Sequence, residues 1–349
     1  MTKKKVTIKD IAMKINLHHT TVSRALRNDP SVKPETREIV LDTARELDYH
    51  PNSFAVNLRR RRSNVIGVIV PELHHDFFSY IVAEITRVAG FEGYSVLICQ
   101  SNEDYQQEIR NVSALMSNNV AGVIAAISQY TTDDEHFKNI VKAEVPLVFF
   151  DRYCENCNAS RVILDFYNGA YQLVEHLIKS GCKRIAHIGG PKHMPGVIQR
   201  LEGYKAALRD NNIPFEDELV VHGGFTPEDG VMATQWFLSL PERPDAIFAI
   251  DDEVAIGAMI RIKTEGLRIP DDIAIAGFDN DKISEFTDPA LTTVDIQRSE
   301  IGKKAIELLL RQLKNSPESN TAVTELVPTK LIIRESSQRV TNPALVANL

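Results

Sequence analysis

Charged side chains stand directly after several apolar, strand-like runs of this sequence. Five of them hold this position: Asp151, Arg152, Asp251, Asp252 and Asp279. In sheets of parallel strands, ligand sites form at the carboxyl ends of the strands. A site for a polyhydroxylated molecule needs both carboxylates and guanidinium groups, because carboxylates accept hydrogen bonds from hydroxyls and Arg donates several. These residues are therefore candidates for binding a small polyol.

Two aromatic residues follow the first of these runs, where a ring wall could stack on a sugar. They are Phe77 and Phe78, and the alternative is that they simply belong to the core. Asp252 has an alternative role too, since an Asp at the end of a strand often caps the next helix.

Other chemistry is not supported by the motifs. Cys154 and Cys157 have metal or redox spacing, but no second pair follows at the distance of a zinc site. His74 and His75 are interpreted as cleft lining or surface. Because the sequence also contains no nucleophile–base motif, Walker loop or dinucleotide fingerprint, we expect no metal, no cofactor and no enzyme activity.

The charge is distributed unevenly. Residues 1–62 carry 14 Lys and Arg against 7 Asp and Glu, whereas the remainder carries 26 against 40. A basic head on an acidic body is expected when only the head meets phosphate. The alternative is an uneven surface without a function.

The head reads as three short helices. Thr7 begins the first, Asn16 lies at a turn that needs positive φ, and Pro34 opens the third. Ala12 is small where two helices would cross, which leaves the start of the second helix free to enter a major groove. The candidate DNA contacts are Thr7, His18, His19, Thr20, Thr21, Ser23 and Arg24. We expect His19, Thr20 and Arg24 to reach base edges, and the alternative is an ordinary three-helix unit.

From Asn64 onward, apolar strand-like runs alternate with amphipathic helices. This pattern is typical of parallel sheets covered on both faces, and its length suits two α/β lobes. No run reaches the roughly 20 apolar residues that cross a bilayer. The basic start lacks an apolar stretch, and four cysteines make no disulfide framework, so we expect a cytoplasmic protein.

Motifs along nearly the whole chain resemble the lactose/galactose repressor (LacI/GalR) family. They are VTIKDIA at 6–12, TVSRAL at 21–26, TR at 36–37, YHPN at 49–52, GVIVP at 67–71, RLEGY at 200–204, AIGA at 255–258, GFD at 277–279, LTTV at 291–294 and LIIRES at 331–336. The chain departs from the family where Asp251 stands in place of the usual Asn.

The resemblance implies an all-α helix-turn-helix head and a body of two parallel-sheet lobes similar to periplasmic binding proteins. It assigns Arg200 to gripping the ligand. The implied divisions are a head at 1–50, a hinge at 51–63, a body at 64–340 and a tail at 341–349, the body comprising an N-lobe (64–161, 292–326) and a C-lobe (162–291, 327–340).

The implied function is a homodimeric transcription regulator, most simply a repressor. Its operator would be near-palindromic double-stranded DNA, and its effector a sugar or sugar acid. A ligand-dependent activator, a corepressor-dependent regulator and a solute-binding receptor without a DNA role remain alternatives.

The hinge contributes three further candidate DNA contacts, Asn52, Leu58 and Arg59. By the resemblance, this segment forms a short helix whose Leu58 enters the minor groove, and the alternative is a plain solvated linker. An isolated helix this short is marginal in water, and four arginines at its end repel one another, so we expect it to form only on DNA.

Replacing Leu58 with glycine should therefore weaken operator binding and leave ligand binding intact. The measurement is a DNA titration beside a ligand titration of the same preparation. Equal operator affinity in the mutant would refute the hinge assignment.

Overall fold

The computed structural model describes residues 6–49, 63–74, 76–315 and 321–339. The chain divides into two compact units, and the second begins at Asn64. None of the described helices is both long and apolar enough to span a bilayer.

The first unit is a bundle of three helices. These are α1 (Ile8–Lys14), α2 (His19–Ala25) and α3 (Pro34–Glu46). Ile11, Ala12, Val22 and Val40 form its buried core. Their spacing places them on the inner face of each helix, as the apolar periodicity predicts.

Local rules fix the ends of these helices. Thr7 precedes α1. Its backbone N–H (2.7 Å) and its hydroxyl (2.6 Å) both donate hydrogen bonds to the carboxylate of Asp10. Asn16 has a φ of +51° in the turn between α1 and α2, as predicted. Pro34 is the first residue of α3, where its missing N–H costs nothing.

The second unit contains three sheets and eight helices among its described residues. The helices are α4 (Asp76–Phe91), α5 (Tyr105–Ser117), α6 (Glu135–Lys142), α7 (Phe166–Lys179), α8 (Pro195–Asp210), α9 (Pro227–Ser239), α10 (Asp252–Thr264) and α11 (Arg298–Lys314). The strands are β1 (Val65–Val70), β2 (Ser95–Gln100), β3 (Gly122–Ala125), β4 (Leu147–Phe150), β5 (Ser160–Leu164), β6 (Ile185–Gly189), β7 (Val220–His222), β8 (Ala246–Ala249), β9 (Ala274–Ala276), β10 (Thr293–Asp295), β11 (Thr324–Val327) and β12 (Lys330–Ile332).

The strands form two parallel sheets, one in each lobe. The order is β11-β5-β4-β3-β1-β2 in the first lobe and β7-β6-β8-β9 in the second. A separate antiparallel pair joins β10 to β12. Helices cover the sheets, so the central strands are buried along their whole length, as the unbroken apolar runs predict.

The lobe boundary differs from the sequence-based expectation. We assigned Val162 and the residues after it to the second lobe, but β5 pairs with β4 and β11 in the first sheet. The first lobe therefore extends to Leu164. A strand followed by a helix has the same sequence pattern in either lobe. Only the strands that pair with β5 show which sheet it belongs to.

Two helices were not identified from the sequence, namely α6 and α11. Helix α11 packs across the first sheet against α4. Gly302 of α11 allows this helix to approach the backbone of Ile81 in α4 closely. Since β9 belongs to the second sheet and α11 covers the first, the chain crosses back between the lobes through β10.

Helices α9 and α10 cross at two facing glycines. A Cβ on Gly257 would fall on the carbonyl oxygen of Pro227, and one on Gly230 would fall on that of Val254. Both obstacles are backbone atoms, which cannot rotate away as a side chain can. The crossing therefore requires glycine at both positions.

Gly257→Ala should destabilise the body by about 1–3 kcal/mol, the usual cost of overpacking a close contact. Gly90→Ala is the matched control, because nothing lies within 4 Å of a Cβ at that position in α4. This second change should be neutral or stabilise by about 0.5–1 kcal/mol. Urea unfolding of both variants measures the difference, and an unchanged midpoint for Gly257→Ala would contradict the packing.

Candidate functional site

Seven of the eight candidate ligand residues line one cavity in the body, with a volume of about 610 Å³. They are Phe77, Phe78, Asp151, Arg152, Arg200, Asp251 and Asp279. They come from both lobes, mostly from segments that follow the carboxyl ends of strands. A cavity of this size and position suits a small-molecule ligand, and the binding role of each residue stays a prediction.

Arg200 lies at the centre of this arrangement. Its guanidinium is 3.9 Å from the ring centre of Phe166 and 4.3 Å from that of Phe278. Its Nη2 donates to Oδ1 of Asp279 at 3.3 Å. The side chain is 8% exposed, and its buried Nε has no hydrogen-bond partner among the described residues. The rings and the carboxylate hold the guanidinium in one orientation, because Arg favours both contacts.

Arg152 occupies the first-lobe side of the cavity. Its Nη1 donates to Oε1 of Glu103 at 2.6 Å, and its Nε lies 3.7 Å from Oδ2 of Asp151. The guanidinium also faces the ring of Phe78 (5.5 Å) and that of Phe225 (6.0 Å). Since Phe225 belongs to the second lobe, this guanidinium faces rings of both lobes.

Asp251 and Asp252 have different environments. Asp251 lines the cavity and is also the helix cap, because its Oδ1 accepts from the N–H of Val254 at 2.8 Å. Asp252 is fully buried and does not line this cavity, so the structure does not support the ligand contact expected of it, and it is not the cap of α10 either.

Asp252 instead ties α10 to the segment that crosses between the lobes. Its fully buried carboxylate accepts from Oγ1 of Thr293 at 2.6 Å and from the N–H of Asp281 at 2.7 Å. A strand-end position alone cannot separate these roles, because adjacent residues project in different directions.

Phe78 joins the two roles weighed for it. It is buried in the core beside Phe150, and it also contributes to the cavity wall. Phe77 is partly exposed and packs edge-on against Phe78 with ring centres 4.7 Å apart.

Sequence reasoning missed several lining residues that come from loops. They include Glu103, Gln129, Tyr130, Phe225 and Asp281. Each lies a few residues beyond the end of a strand, so a search extended into those loops would have found them.

Buried carboxylates hold the loop that carries Gln129 and Tyr130. Glu108, which is fully buried, accepts from the N–H of Ser128 at 2.7 Å and from Oγ1 of Thr131 at 2.8 Å. Glu103 accepts from the N–H of Gln129 at 2.7 Å. The loop is therefore fixed at three points in front of the cavity.

Burial changes the protonation of the cavity carboxyls. Loss of solvation raises the pKa of Asp151 to about 6, although the neighbouring Arg152 and Arg200 lower it. Burial likewise raises the pKa of Asp281 to about 6, and that of Asp251 well above its usual value, with the Asp279 charge adding to both. These carboxyls are costly to ionise without a further cation nearby.

All but one of the candidate DNA contacts described in the first unit lie on α2 or directly before it, and their side chains are accessible. His18, His19, Thr20 and Arg24 are exposed, and Thr21 and Ser23 are partly exposed. His18 caps α2, since its Nδ1 lies 2.8 Å from Oγ1 of Thr20 and accepts from the Thr20 N–H at 3.4 Å. Thr7 is exposed at the start of α1, whereas Asn52, Leu58 and Arg59 lie outside the described residues.

The cysteine pair has a structural environment. Cys154 and Cys157 are free thiols packed in a core cluster with Phe137 and Phe149. Burial raises the pKa of both, to about 11 for Cys157, so neither is an activated thiolate. No group of side chains suited to hold a metal ion occurs among the residues that the structure describes.

A three-helix DNA-binding unit joined to a two-lobed body with a ligand-sized cavity defines a ligand-responsive transcription regulator. Residues 7–52 match the bacterial regulatory proteins of the lacI family, and residues 174–337 match the periplasmic binding protein-like domain. The chain belongs to the LacI family, which confirms the resemblance and the fold class inferred from the sequence.

Similar proteins cover nearly the whole chain. The HTH-type transcriptional repressor CytR of Escherichia coli K12 is 36% identical over 95% of this chain and 96% of its own length. A crystal structure of the Lac repressor dimer bound to operator and the anti-inducer ONPF has a TM-score of 0.85 and 28% identity, covering 96% of this chain and all of that one. A complex of the transcriptional regulator CelR with cellobiose has a TM-score of 0.72 and 28% identity, covering 95% of this chain and 100% of that one.

Asp151→Asn should stabilise the ligand-free protein at pH 7.5, by on the order of 1–3 kcal/mol. The native carboxyl, with its pKa of about 6, binds a proton more tightly than the unfolded chain does, so its contribution to stability falls as pH rises from about 4 to 6. The gain of the variant should therefore shrink when unfolding is measured near pH 4.5. Asn also tolerates the φ of +57° at this position. A variant less stable than the native protein at pH 7.5 would contradict the burial argument.

Proposed function

We propose that this protein is a dimeric transcriptional repressor whose operator affinity is set by a small sugar-like effector in the body cavity. The observation that carries the proposal is the pairing of two features in one chain: an exposed recognition helix, and a cavity with charged groups from both lobes. The relatives support each half, since the Lac repressor binds operator as a dimer and CelR holds cellobiose.

The recognition helix supplies the DNA half of the function. Arg24 is exposed on α2, and an Arg there suits the O6 and N7 acceptors of guanine in the major groove. His19 and Thr20 are its partners in base reading, while Thr21 and Ser23 suit phosphates. A dimer would present two such helices to the two halves of a near-palindromic operator.

The cavity supplies the control. A ligand that contacts Asp151 and Arg152 of the first lobe and Arg200 and Asp251 of the second binds best when the lobes are at one particular separation. The lobes already touch at the cavity mouth, where Nε2 of His193 lies 2.8 Å from the carbonyl oxygen of Gln129. Ligand binding would thus shift the population between lobe arrangements and change operator affinity, a coupling typically of about 1–3 kcal/mol.

The same residues argue against turnover. Four of the cavity carboxylates, those of Glu103, Asp151, Asp279 and Asp281, are paired with arginines, and that of Asp251 caps a helix. A repressor needs only to hold its ligand. We propose accordingly that the chain is not an enzyme and that it works in the cytoplasm, where its operator is.

The test begins with a random pool of DNA duplexes. The full-length protein should enrich one near-palindromic sequence, with an affinity that falls steeply as salt rises. Arg24→Ala should lower affinity for that sequence by about 5- to 150-fold, the range of one bidentate base contact. The affinity of the protein for the selected duplex is then measured in the presence of individual sugars, one of which should change it.

Arg200→Ala is the matched control for the effector half. It removes the central cavity cation from the second unit, so it should keep operator affinity and lose the response to the effector. A pool without any enriched sequence would overturn the proposal, and so would an effector response that persists in Arg200→Ala.

A further inference from the structure

We infer that the effector is a polyhydroxylated amine, such as an amino sugar, whose ammonium group lies between Asp151 and Asp251. This inference rests on the proposed function, because it names the ligand class of the same cavity. It excludes sugar acids and sugar phosphates, and it places neutral sugars second.

Acidic side chains outnumber basic ones in the cavity wall. Seven Asp and Glu side chains line it, against two guanidinium groups. An added phosphate or carboxylate would meet this surplus of acidic groups in a partly desolvated space, where an ion without an opposite charge is poorly tolerated. A cation would reduce the surplus instead.

Both guanidinium groups of the cavity wall already have carboxylate partners. Arg152 makes its short ion pair with Glu103 (2.6 Å), and Arg200 pairs with Asp279 (3.3 Å). Asp281 pairs with Arg298, outside the lining. Asp151 is left with a longer approach to Arg152 at 3.7 Å, and Asp251 has the backbone N–H of Val254.

These two aspartates come from opposite lobes. Asp151 follows β4 of the first sheet, Asp251 follows β8 of the second, and both interact electrostatically with Arg200. An ammonium group between them would therefore be held by carboxylates of both lobes. The same contact would favour the closed arrangement of the cavity, so the charge of the ligand itself would act on the lobe equilibrium.

A buried donor in the cavity wall lacks a hydrogen-bond partner among the residues that the structure describes. It is Nε of Arg200, whose side chain lines the cavity. A ligand hydroxyl or ring oxygen could accept from it, which a simple alkylamine or metal ion would not do as well. This donor requires a ligand with oxygen acceptors in addition to its cation.

Aromatic side chains form part of the cavity wall. Phe77, Phe225 and Tyr130 border the same space as the carboxylates. Aromatic faces pack against the C–H side of a sugar ring, and their negative faces also favour a nearby cation. Ring, hydroxyls and ammonium together describe a single class of compound.

Protonation of Asp151 adds a dependence on pH. The charged groups that face it are Arg152 beside it, Arg200 from α8, Asp279 after β9 and Glu103 after β2, and burial leaves its pKa at about 6. Since only the ionised carboxylate attracts an ammonium, affinity for an amine should rise between about pH 5.5 and pH 7.

The experiment compares matched probes by isothermal titration of the full chain near pH 7. The sets are glucosamine, glucose and glucose 6-phosphate, then galactosamine, galactose and galactose 6-phosphate. In at least one set the amine should bind about tenfold or more tightly than its neutral parent, and the phosphate should be weakest or silent.

Asp251→Asn removes one charge and keeps the acceptor that caps α10. It should reduce the ratio of amine affinity to neutral-parent affinity from about tenfold to about threefold or less, whatever it does to the affinity for the neutral parent itself. Asp217→Asn is the matched control, because Asp217 is an exposed acid of the same lobe that does not line the cavity. It should leave every affinity unchanged. Thermal unfolding checks that each variant is folded, and Asp151→Asn repeats the test from the other lobe.

Amines that bind no more tightly than their neutral parents, whether both bind or neither does, overturn the inference. So does a preference that survives Asp251→Asn and Asp151→Asn alike. Selection of an operator from the random pool is measured without ligand. If the protein selects an operator but shows no preference for amines, the proposed ligand class is rejected and the proposed repressor function stands.

Discussion

The structure of the body depends on one buried cation. The guanidinium of Arg200 lies between the rings of Phe166 and Phe278, and carboxylates of both lobes surround it. A charge this deeply buried is tolerated only with opposite charges and fixed hydrogen bonds around it. Both lobes must therefore place carboxyl groups close to the Arg200 guanidinium, and this requirement determines much of the shape and charge of the cavity.

Much of the fold could be predicted because its determinants are local. Asn16 adopts positive φ in the turn, and Pro34 begins its helix, as short-range rules require. The central strands are unbroken apolar runs, since both of their faces are covered. The shared position of Asp251 and Asp279 also follows from a local rule, because loops after the parallel strands of one sheet meet at one edge of that sheet. Asp151 follows a strand of the other sheet, and only the packing of the two lobes brings it to the same cavity.

What could not be predicted depends on contacts between distant parts of the chain. The membership of β5 in the first sheet is decided by its partners β4 and β11, and β11 lies about 160 residues away. Asp252 follows a strand just as Asp251 does, yet its carboxylate accepts hydrogen bonds from the hydroxyl of Thr293 and from the backbone N–H of Asp281. The loop residues Gln129 and Phe225 reach the cavity only through the tertiary fold, and Glu108 fixes the first of their loops from another helix.

The contact at the cavity mouth has a consequence for how such a regulator acquires a new effector. Nε2 of His193 meets the main-chain oxygen of Gln129, not its side chain. Position 129 borders the cavity, so its side chain could change with the ligand, while every replacement would still offer the same carbonyl to the opposite lobe. Recognition and closure are thereby separated within a single residue, and the selectivity of the protein can drift over evolutionary time without loss of the signal that it transmits.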